Sequence, residues 1–264
     1  MTEGKKIMGI TKIAIRFAAP FPKVDSFSRY LFVGPHPDDI EIGAGATTAA
    51  LAAKGKDICF LVCTDGRYGT TNMAEAVSDE ELIKIRKDEA IRSAAALGIT
   101  DVRFLGLSDG GFYNQDDLLR GIADVISSFQ PDIIFAPDPE PASECHIDHL
   151  NVGKAVRTLA VNAANPGIMK RLGAEPCPLK ALAFYMTAKP NVFMKTTGFL
   201  KKQLDALFAN HVSQYPAGCQ DRNSIELYLK LRARDFGLRS FHVTAEGFRI
   251  LGITHMHCLP EAGD

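Results

Sequence analysis

Three short runs of the chain are apolar at every position rather than at alternate positions. They occupy residues 30–33, 58–63 and 133–136. A strand with one solvated face alternates apolar and polar side chains, whereas a strand covered on both faces does not. We therefore expect these runs to be strands of a parallel sheet that has helices on both of its faces.

Helical patterns lie between these runs. Residues 43–53 are small and are followed by a potential cap at Gly55, and residues 116–129 predict another helix. Residues 80–97 also predict a helix, which Gly98 ends before a strand at 102–105. Its expected core face is formed by Ile83, Ile85, Ala90, Ile91 and Ala94. Repeated strand, loop and helix units predict an α/β fold with a mostly parallel sheet, whose ligands bind beyond the carboxyl ends of the strands.

The remainder of the chain has a less regular pattern. It predicts strands at 182–186 and 248–253 and helices at 196–210 and 223–236. No linker or repeat divides it from the rest, so we expect one domain over residues 1–264. Pro20 and Pro22 argue for an irregular N-terminal extension over residues 1–28.

Composition excludes several classes of partner. The formal net charge is −1, so no global field attracts nucleic acid or an anionic membrane. The sequence contains no run of eighteen apolar residues, so we do not expect stable membrane insertion. We also find no leader pattern before residue 10, which favours a cytoplasmic protein. Six scattered cysteines without CxxC spacing make disulfides unexpected: Cys59, Cys63, Cys145, Cys177, Cys219 and Cys258.

Two motifs carry groups suited to metal-assisted hydrolysis. His36 and Asp39 are three residues apart directly after the first predicted strand, and the spacing lets both face one ion. Asp38 would then point elsewhere and could take a proton from an attacking water. The motif also fits a capped turn, since aspartate is a common helix N-cap.

The second motif follows the predicted strand at 133–136. His146 and His149 are again three residues apart, so one could complete the metal site and the other could face the reacting carbonyl. A histidine at that carbonyl could stabilise an oxyanion and protonate a leaving amine, and Asp148 could orient it. An HxxH pair can also be a solvated helix face. The occurrence of two such pairs after two strands favours a catalytic metal.

Other potential sites have simpler interpretations. Residues 43–45 are glycine-rich but lack the lysine of a nucleotide loop, and Thr48 stands where a third glycine is expected. Close helix packing explains those glycines better. His255 and His257 have the spacing of one strand face, and we expect them to alternate along a terminal strand rather than to bind metal.

The chain resembles the PIG-L/LmbE-like family of zinc-dependent N-acetylglucosaminyl deacetylases. The resemblance rests on the two histidine motifs, on Glu41 and Gly43, and on several further segments in the expected order. These are residues 64–69 (TDGRYG), Arg86, Glu89, residues 96–98, 107–110 (LSDG) and 211–214 (HVSQ).

The resemblance implies a Rossmann-like three-layer sandwich and zinc ligation by His36, Asp39 and His149. It further implies Asp38 as general base, His146 at the oxyanion with Asp148 in support, and removal of acetate from an acetylated amino sugar. Zn²⁺ is the implied cofactor, and Fe²⁺ is another divalent ion that such ligands accept. Family members often associate as trimers or hexamers, so a homo-oligomer is expected.

Two departures from the family pattern are present; the first leaves the expected ligands untouched, and the second bears on the expected substrate. Ile40 stands where many relatives have glutamate, and Asp65 with Arg67 stands where relatives often have a Gly-Glu pair. Arg67 and Asp109 are candidates for binding sugar hydroxyls, since one donates and the other accepts hydrogen bonds. Both also suit an ordinary loop or turn.

Three rival functions remain open at this point. An amidase acting on a larger thiol-sugar conjugate would use the same zinc and base with a different pocket. A non-catalytic sugar-binding or metal-sensing protein would lack one of the expected ligands or the base. A nucleotide-dependent dehydrogenase would need a complete glycine fingerprint, and two acidic residues occupy the place of the pyrophosphate.

Overall fold

The computed structural model describes residues 10–69, 77–257, 259 and 261. Within these ranges the chain forms seven strands: β1 (Arg29–Gly34), β2 (Asp57–Thr64), β3 (Asp101–Leu107), β4 (Ile133–Pro137), β5 (Ala181–Tyr185), β6 (Val192–Lys195) and β7 (Ala245–Gly252). It also forms eight α-helices: α1 (Ile10–Ala18), α2 (Asp39–Ala52), α3 (Asp79–Leu97), α4 (Gln115–Phe129), α5 (Ile147–Asn162), α6 (Pro166–Leu172), α7 (Leu200–Asn210) and α8 (Gln220–Arg239).

The strands form one sheet in the order β3-β2-β1-β4-β5-β7-β6. Strands β1 to β5 are parallel, whereas β7 runs antiparallel to both β5 and β6. The expected mostly parallel sheet is therefore confirmed. The strand predicted at 248–253 corresponds to β7, whose antiparallel direction was not predicted, and β6 was not predicted at all.

Two apolar cores cover the two faces of the sheet. Leu31 and Val33 of β1 pack in one core with residues of α4, α5 and α6, while Tyr30 and Phe32 pack in the other with residues of α2, α3 and α7. Because successive strand residues point to opposite faces, a strand that contacts both cores must be apolar throughout. This explains the uninterrupted runs and confirms the three-layer sandwich.

Strand β1 lies at the point where the chain reverses direction across the sheet. The chain passes from β1 to β2 and β3 on one side, then returns to form β4 on the other side of β1. The loops after β1 and β4 therefore meet at a topological switch point, where open α/β sheets bind ligands. These loops carry the two histidine motifs.

The glycines of α2 are explained by close packing, as expected. A Cβ atom on Gly43 would lie 2.2 Å from Tyr185 Cδ2, and one on Gly45 would lie 2.9 Å from Gln203 Cγ. The Tyr185 hydroxyl donates to the Val33 carbonyl at 2.8 Å, so its ring is fixed against the helix. A larger residue at position 43 would displace α2 from the sheet.

Two side chains from distant segments bind the backbone of α2, and we call them the α2 clamp. Gln203 Nε2 donates to the Glu41 carbonyl at 2.7 Å, and Glu246 accepts the Ala46 and Thr47 N–H groups at 3.1 and 2.7 Å. Burial raises the pKa of Glu246 to about 7, although these N–H groups act in the opposite direction. The clamp ties α2 to α7 and β7.

Helix α3 begins and ends as predicted, but its buried face differs. Ser78 caps its start by accepting the Glu81 N–H, and Gly98 ends it in the left-handed conformation. Ile91 is 43% exposed, whereas Arg86 and Glu89 are buried. Ala90 and Ala94 are buried as predicted, but the isoleucine positions were misleading because Arg86 and Glu89 turn the helix toward a polar site.

Two further expectations at the chain's ends were wrong. Ile10–Ala18 form a helix, and Pro20 follows its end, so the prolines bound the helix rather than preclude it. Residue His255 lies in a 3₁₀ turn rather than a strand, where Nδ1 accepts the Gly252 N–H and Nε2 meets the Ala19 carbonyl at 2.8 Å. Cys258 lies outside the described residues.

No helix among the described residues is both long and apolar enough to cross a membrane. Cys59, Cys63, Cys145, Cys177 and Cys219 are free thiols.

Candidate active site

The loop after β1 folds back so that Asp39 contacts His36. Asp39 is the first residue of α2, and its Oδ2 accepts the His36 backbone N–H at 2.8 Å and lies 3.0 Å from His36 Nδ1. Its other oxygen lies 3.3 Å from His149 Nε2. One carboxylate therefore joins the two histidine motifs across the switch point.

The loop after β4 presents its histidines at the start of α5. His146 is the N-cap residue, and its Nδ1 accepts the Asp148 N–H at 3.3 Å. Glu144 Oε2 lies 3.0 Å from His149 Nδ1, and Oε1 accepts the His146 N–H at 2.8 Å. A carboxylate behind a histidine fixes the ring and leaves Nε2 free to face a ligand. The sequence analysis did not predict this role of Glu144, although the residue stands only two positions before His146.

Asp148 supports a different histidine from the one predicted. Its Oδ2 lies 3.2 Å from His36 Nε2, and its oxygens accept the Gly110 and Gly111 N–H groups at 2.8 and 2.9 Å. His146 Nδ1 is 3.6 Å away and already acts as an acceptor, so it cannot donate to Asp148. Burial would raise the pKa of Asp148, but the bonds from His36 and Gly110 hold it below its ordinary value.

Carboxylates surround His36 on both ring nitrogens. Asp39 faces Nδ1, while Asp109 and Asp148 each lie 3.2 Å from Nε2. Burial would lower the pKa of His36, but hydrogen bonds to these three carboxylates raise it well above its ordinary value. The pKa of His149 rises to about 9, because the charge of Asp39 outweighs burial.

This excess of buried negative charge fits a divalent cation. His36, His146 and His149 each place a ring nitrogen within 4.8 Å of the others, and Asp39 contacts two of these rings. Imidazole and carboxylate donors are the ligands of catalytic zinc and also of Fe²⁺.

Asp38 lies beside this cluster, held by two side chains. The Tyr215 hydroxyl donates to Oδ2 at 2.8 Å, and Arg86 Nη2 lies 3.5 Å from Oδ1. Its backbone has φ of 144°, an unfavourable region for a residue with a side chain. Burial raises the pKa of Asp38 above its ordinary value, although Arg86 opposes the shift.

The segment after α7 lies behind α2 and α3 and bonds to their buried acids. His211 Nε2 lies 3.3 Å from Glu41 Oε1, and Ser213 donates to Glu89 through its N–H and hydroxyl at 2.9 and 2.5 Å. Tyr215 follows two residues later. The HVSQ motif thus supports the helices that carry the site.

A cleft of about 370 Å³ opens beside the histidine cluster. Asp109 lines it, with Oδ1 near His36 and Oδ2 accepting the Tyr68 N–H at 3.4 Å, and its contact with a sugar stays a prediction. The sequence missed part of the lining: Tyr68, Gly69, Arg86, Gln214 and Tyr215.

Arg67 does not line the cleft, contrary to its predicted contact with sugar. Its guanidinium pairs with Asp65 at 2.6 Å and approaches Asp79 at 3.9 Å. The charges of Asp65 and Arg67 in the TDGRYG loop therefore neutralise each other, since a bidentate pair satisfies both groups.

Comparisons with known proteins agree with this geometry. Residues 31–160 match the PIG-L family, described as GlcNAc-PI de-N-acetylase. A diacetylchitobiose deacetylase of Thermococcus kodakarensis is 32% identical over 96% of this chain and 93% of its own. An inositol 2-acetamido-2-deoxyglucopyranoside deacetylase of Thermomonospora curvata is 32% identical over 64% of this chain and 63% of its own. The N,N′-diacetylchitobiose deacetylase of Pyrococcus horikoshii superposes with a TM-score of 0.84 at 28% identity, covering 97% of this chain and 98% of that one.

Proposed function

Because the chain belongs to the PIG-L family of de-N-acetylases, we propose that it hydrolyses the acetamido group of an N-acetylglucosamine-type sugar. Water is consumed, and acetate and a free amine are released. The observation that carries the proposal is the position of buried Asp38 in one cleft with His36 and Asp39, the second of which also contacts His149. That arrangement provides a base beside a cation-binding group.

We propose that His36, Asp39 and His149 hold the cation, with zinc as the first expectation and Fe²⁺ compatible with the same donors. When bound, a divalent ion supplies Lewis acidity, which polarises the acetyl carbonyl and lowers the pKa of a water. Glu144 and Asp148 keep the histidine rings aligned toward this position.

Asp38 takes the proton of the attacking water in this proposal. Tyr215 and Arg86 fix its two oxygens, so the carboxylate needs little rearrangement when it accepts the proton. Its raised pKa makes it a stronger base than a solvated aspartate.

His146 stands at the wall of the same cleft and acts on the carbonyl side. Its side chain is about half exposed, and its Nδ1 is an acceptor for the Asp148 N–H, so Nε2 carries the donor proton. That N–H can stabilise the oxyanion of the tetrahedral intermediate by donating a hydrogen bond, while Asp38 passes the proton that it took from water to the leaving nitrogen. Asp109 accepts a hydroxyl of the sugar from the floor of the cleft.

Acetate release tests the proposal. Metal-loaded, chelated and Asp38→Asn protein are incubated with N-acetylglucosamine, chito-oligosaccharides and thiol-precursor glycosides. We expect release by the loaded wild type only. No release from any compound by protein with confirmed stoichiometric metal would instead favour an amidase acting on a larger conjugate or a non-catalytic binder.

A further inference from the structure

Three apolar side chains form an exposed lip at the mouth of the cleft. Phe112 is 73% exposed, Tyr68 is 53% exposed and Ile147 is 46% exposed. The rings of Tyr68 and Phe112 meet edge to face, with their centroids 6.2 Å apart. Single exposed apolar residues are ordinary on a protein surface, but a contiguous group beside a ligand cleft marks a binding surface. We call this group the aromatic lip.

The turn formed by Gly110 and Gly111 brings the lip together. A Cβ on Gly110 would lie 3.2 Å from the Phe112 ring and 3.5 Å from Tyr68 Cδ2, and one on Gly111 would lie 3.0 Å from Ile147 Cγ2. Both glycines have positive φ, and their N–H groups hold Asp148. The turn that fixes the Asp148 carboxylate therefore also positions the side chains of the lip.

The lip differs in chemistry from the cleft that it borders. The cleft is lined mainly by charged and hydrogen-bonding side chains, whereas the lip offers ring faces and an aliphatic chain to solvent. Tyr68 belongs to both, because its side chain lines the cleft while it contacts Phe112. A ligand that fills the cleft and extends outward must therefore pass from polar contacts to apolar ones.

We infer that the aromatic lip binds a second pyranose ring, which is attached to the anomeric carbon of the acetylated sugar. A pyranose with equatorial substituents has a face of C–H bonds, which stacks on aromatic rings, and a rim of hydroxyls that stays in water. The inference rests on the proposed function and narrows its substrate class to disaccharides and longer oligosaccharides. Phe112 and Tyr68 are then specificity residues rather than catalytic ones.

The test compares Phe112→Ala with wild type on N,N′-diacetylchitobiose and on methyl N-acetylglucosaminide. We expect kcat/KM for the disaccharide to fall roughly 3- to 10-fold, the effect of losing one aromatic contact. The value for the methyl glycoside should stay within about twofold. Phe241→Ala removes a 97% exposed ring elsewhere and serves as the control. An equal change for both substrates, or none, overturns the inference and leaves the deacetylase intact.

Calorimetric binding of chitobiose and glucosamine, fully deacetylated analogues of a disaccharide and a monosaccharide substrate, separates this inference from the proposed function because it needs no turnover. Tighter binding of chitobiose that Phe112→Ala abolishes supports the lip even if no acetate is released. Equal binding of both sugars by wild type contradicts it. A change of oligomeric state in Phe112→Ala, with the substrate ratio unchanged, would show that the lip contacts another copy of the chain and would also overturn the inference.

Discussion

The two parts of the sheet contribute differently to one cleft. Strands β1 to β4 and their loops carry the proposed cation ligands and the base, each within a contiguous motif. The chain from β5 onward supplies Tyr215 to Asp38 and clamps α2 through Gln203 and Glu246. Reacting groups therefore come from local sequence, whereas Tyr215, Gln203 and Glu246 act on residues more than 150 positions away in the chain.

This difference predicts a graded response to substitution. Changes in the first part should abolish metal binding or chemistry, whereas changes in the second should leave the metal in place and reduce the precision of the site. Activity and metal content, measured together, separate the two kinds of effect.

The largest effect is expected from the first part. Asp39→Ala or His149→Ala should lose both bound metal and activity, since each removes a proposed ligand. Asp38→Asn should keep the metal and lower kcat by roughly 10²–10⁴-fold, because only the base is lost. Metal content by atomic emission and acetate release from the same preparations measure both quantities. An Asp38→Asn protein with undiminished activity would remove the proposed base.

A smaller effect is expected from Tyr215→Phe, which removes only the hydroxyl that donates to Asp38. A hydrogen bond to a charged group contributes about 1.5–3 kcal/mol, so kcat should fall roughly 10-fold or somewhat more. Metal content should not change. Tyr228→Phe, at a half-exposed ring on α8, is the matched control. Equal activity of the two variants would mean that the second part does not position the base.

Metal affinity should depend on pH through His149. Because the pKa of His149 in the metal-free protein rises to about 9, a metal must displace its proton at neutral pH. We expect affinity to weaken steadily as pH falls from 9 to 6, measured by competition with a chelator of known affinity. The slope should become shallower in Glu144→Gln, which removes one of the negative charges beside the ring. Affinity independent of pH in this range would contradict the protonated state of the cluster.

The smallest effect on activity is expected from the α2 clamp. The folded-state pKa of Glu246 is raised to about 7 from an ordinary value of 4.5. The folded state therefore binds the proton more tightly, and the associated stability is present at pH 4.5 and is lost as pH rises to 7. The stability of wild type relative to Glu246→Gln should fall across that window, as measured by urea unfolding. A difference that is constant with pH would show that Glu246 does not titrate there.

The sequence predicted best the features that depend on neighbouring residues. The two motifs were expected to meet, and Asp39 does contact His36 and His149, because each motif lies at the start of a helix that follows a strand of the sheet. The apolar runs indicate the central strands for the same local reason. The bounds of α3 also follow from its caps at Ser78 and Gly98.

Features that depend on distant partners were not predictable in this way. Arg67 has the chemistry to bind sugar, but a partner two residues away takes its guanidinium. The support of Asp148 goes to His36 because the Gly110–Gly111 turn, 37 and 38 residues earlier, fixes the carboxylate in that direction. The four residues of β6 are too few for a periodic pattern, so this strand gave no signal in the sequence.

The backbone of Asp38 has an evolutionary consequence. Its φ of 144° lies where a Cβ is disfavoured, at a cost of order 1–3 kcal/mol that glycine would avoid. Selection for the reaction must therefore maintain an aspartate against the preference of the main chain. In a descendant released from catalysis, replacement by glycine would relieve that cost, so position 38 is where we expect the loss of the ancestral activity to be recorded first.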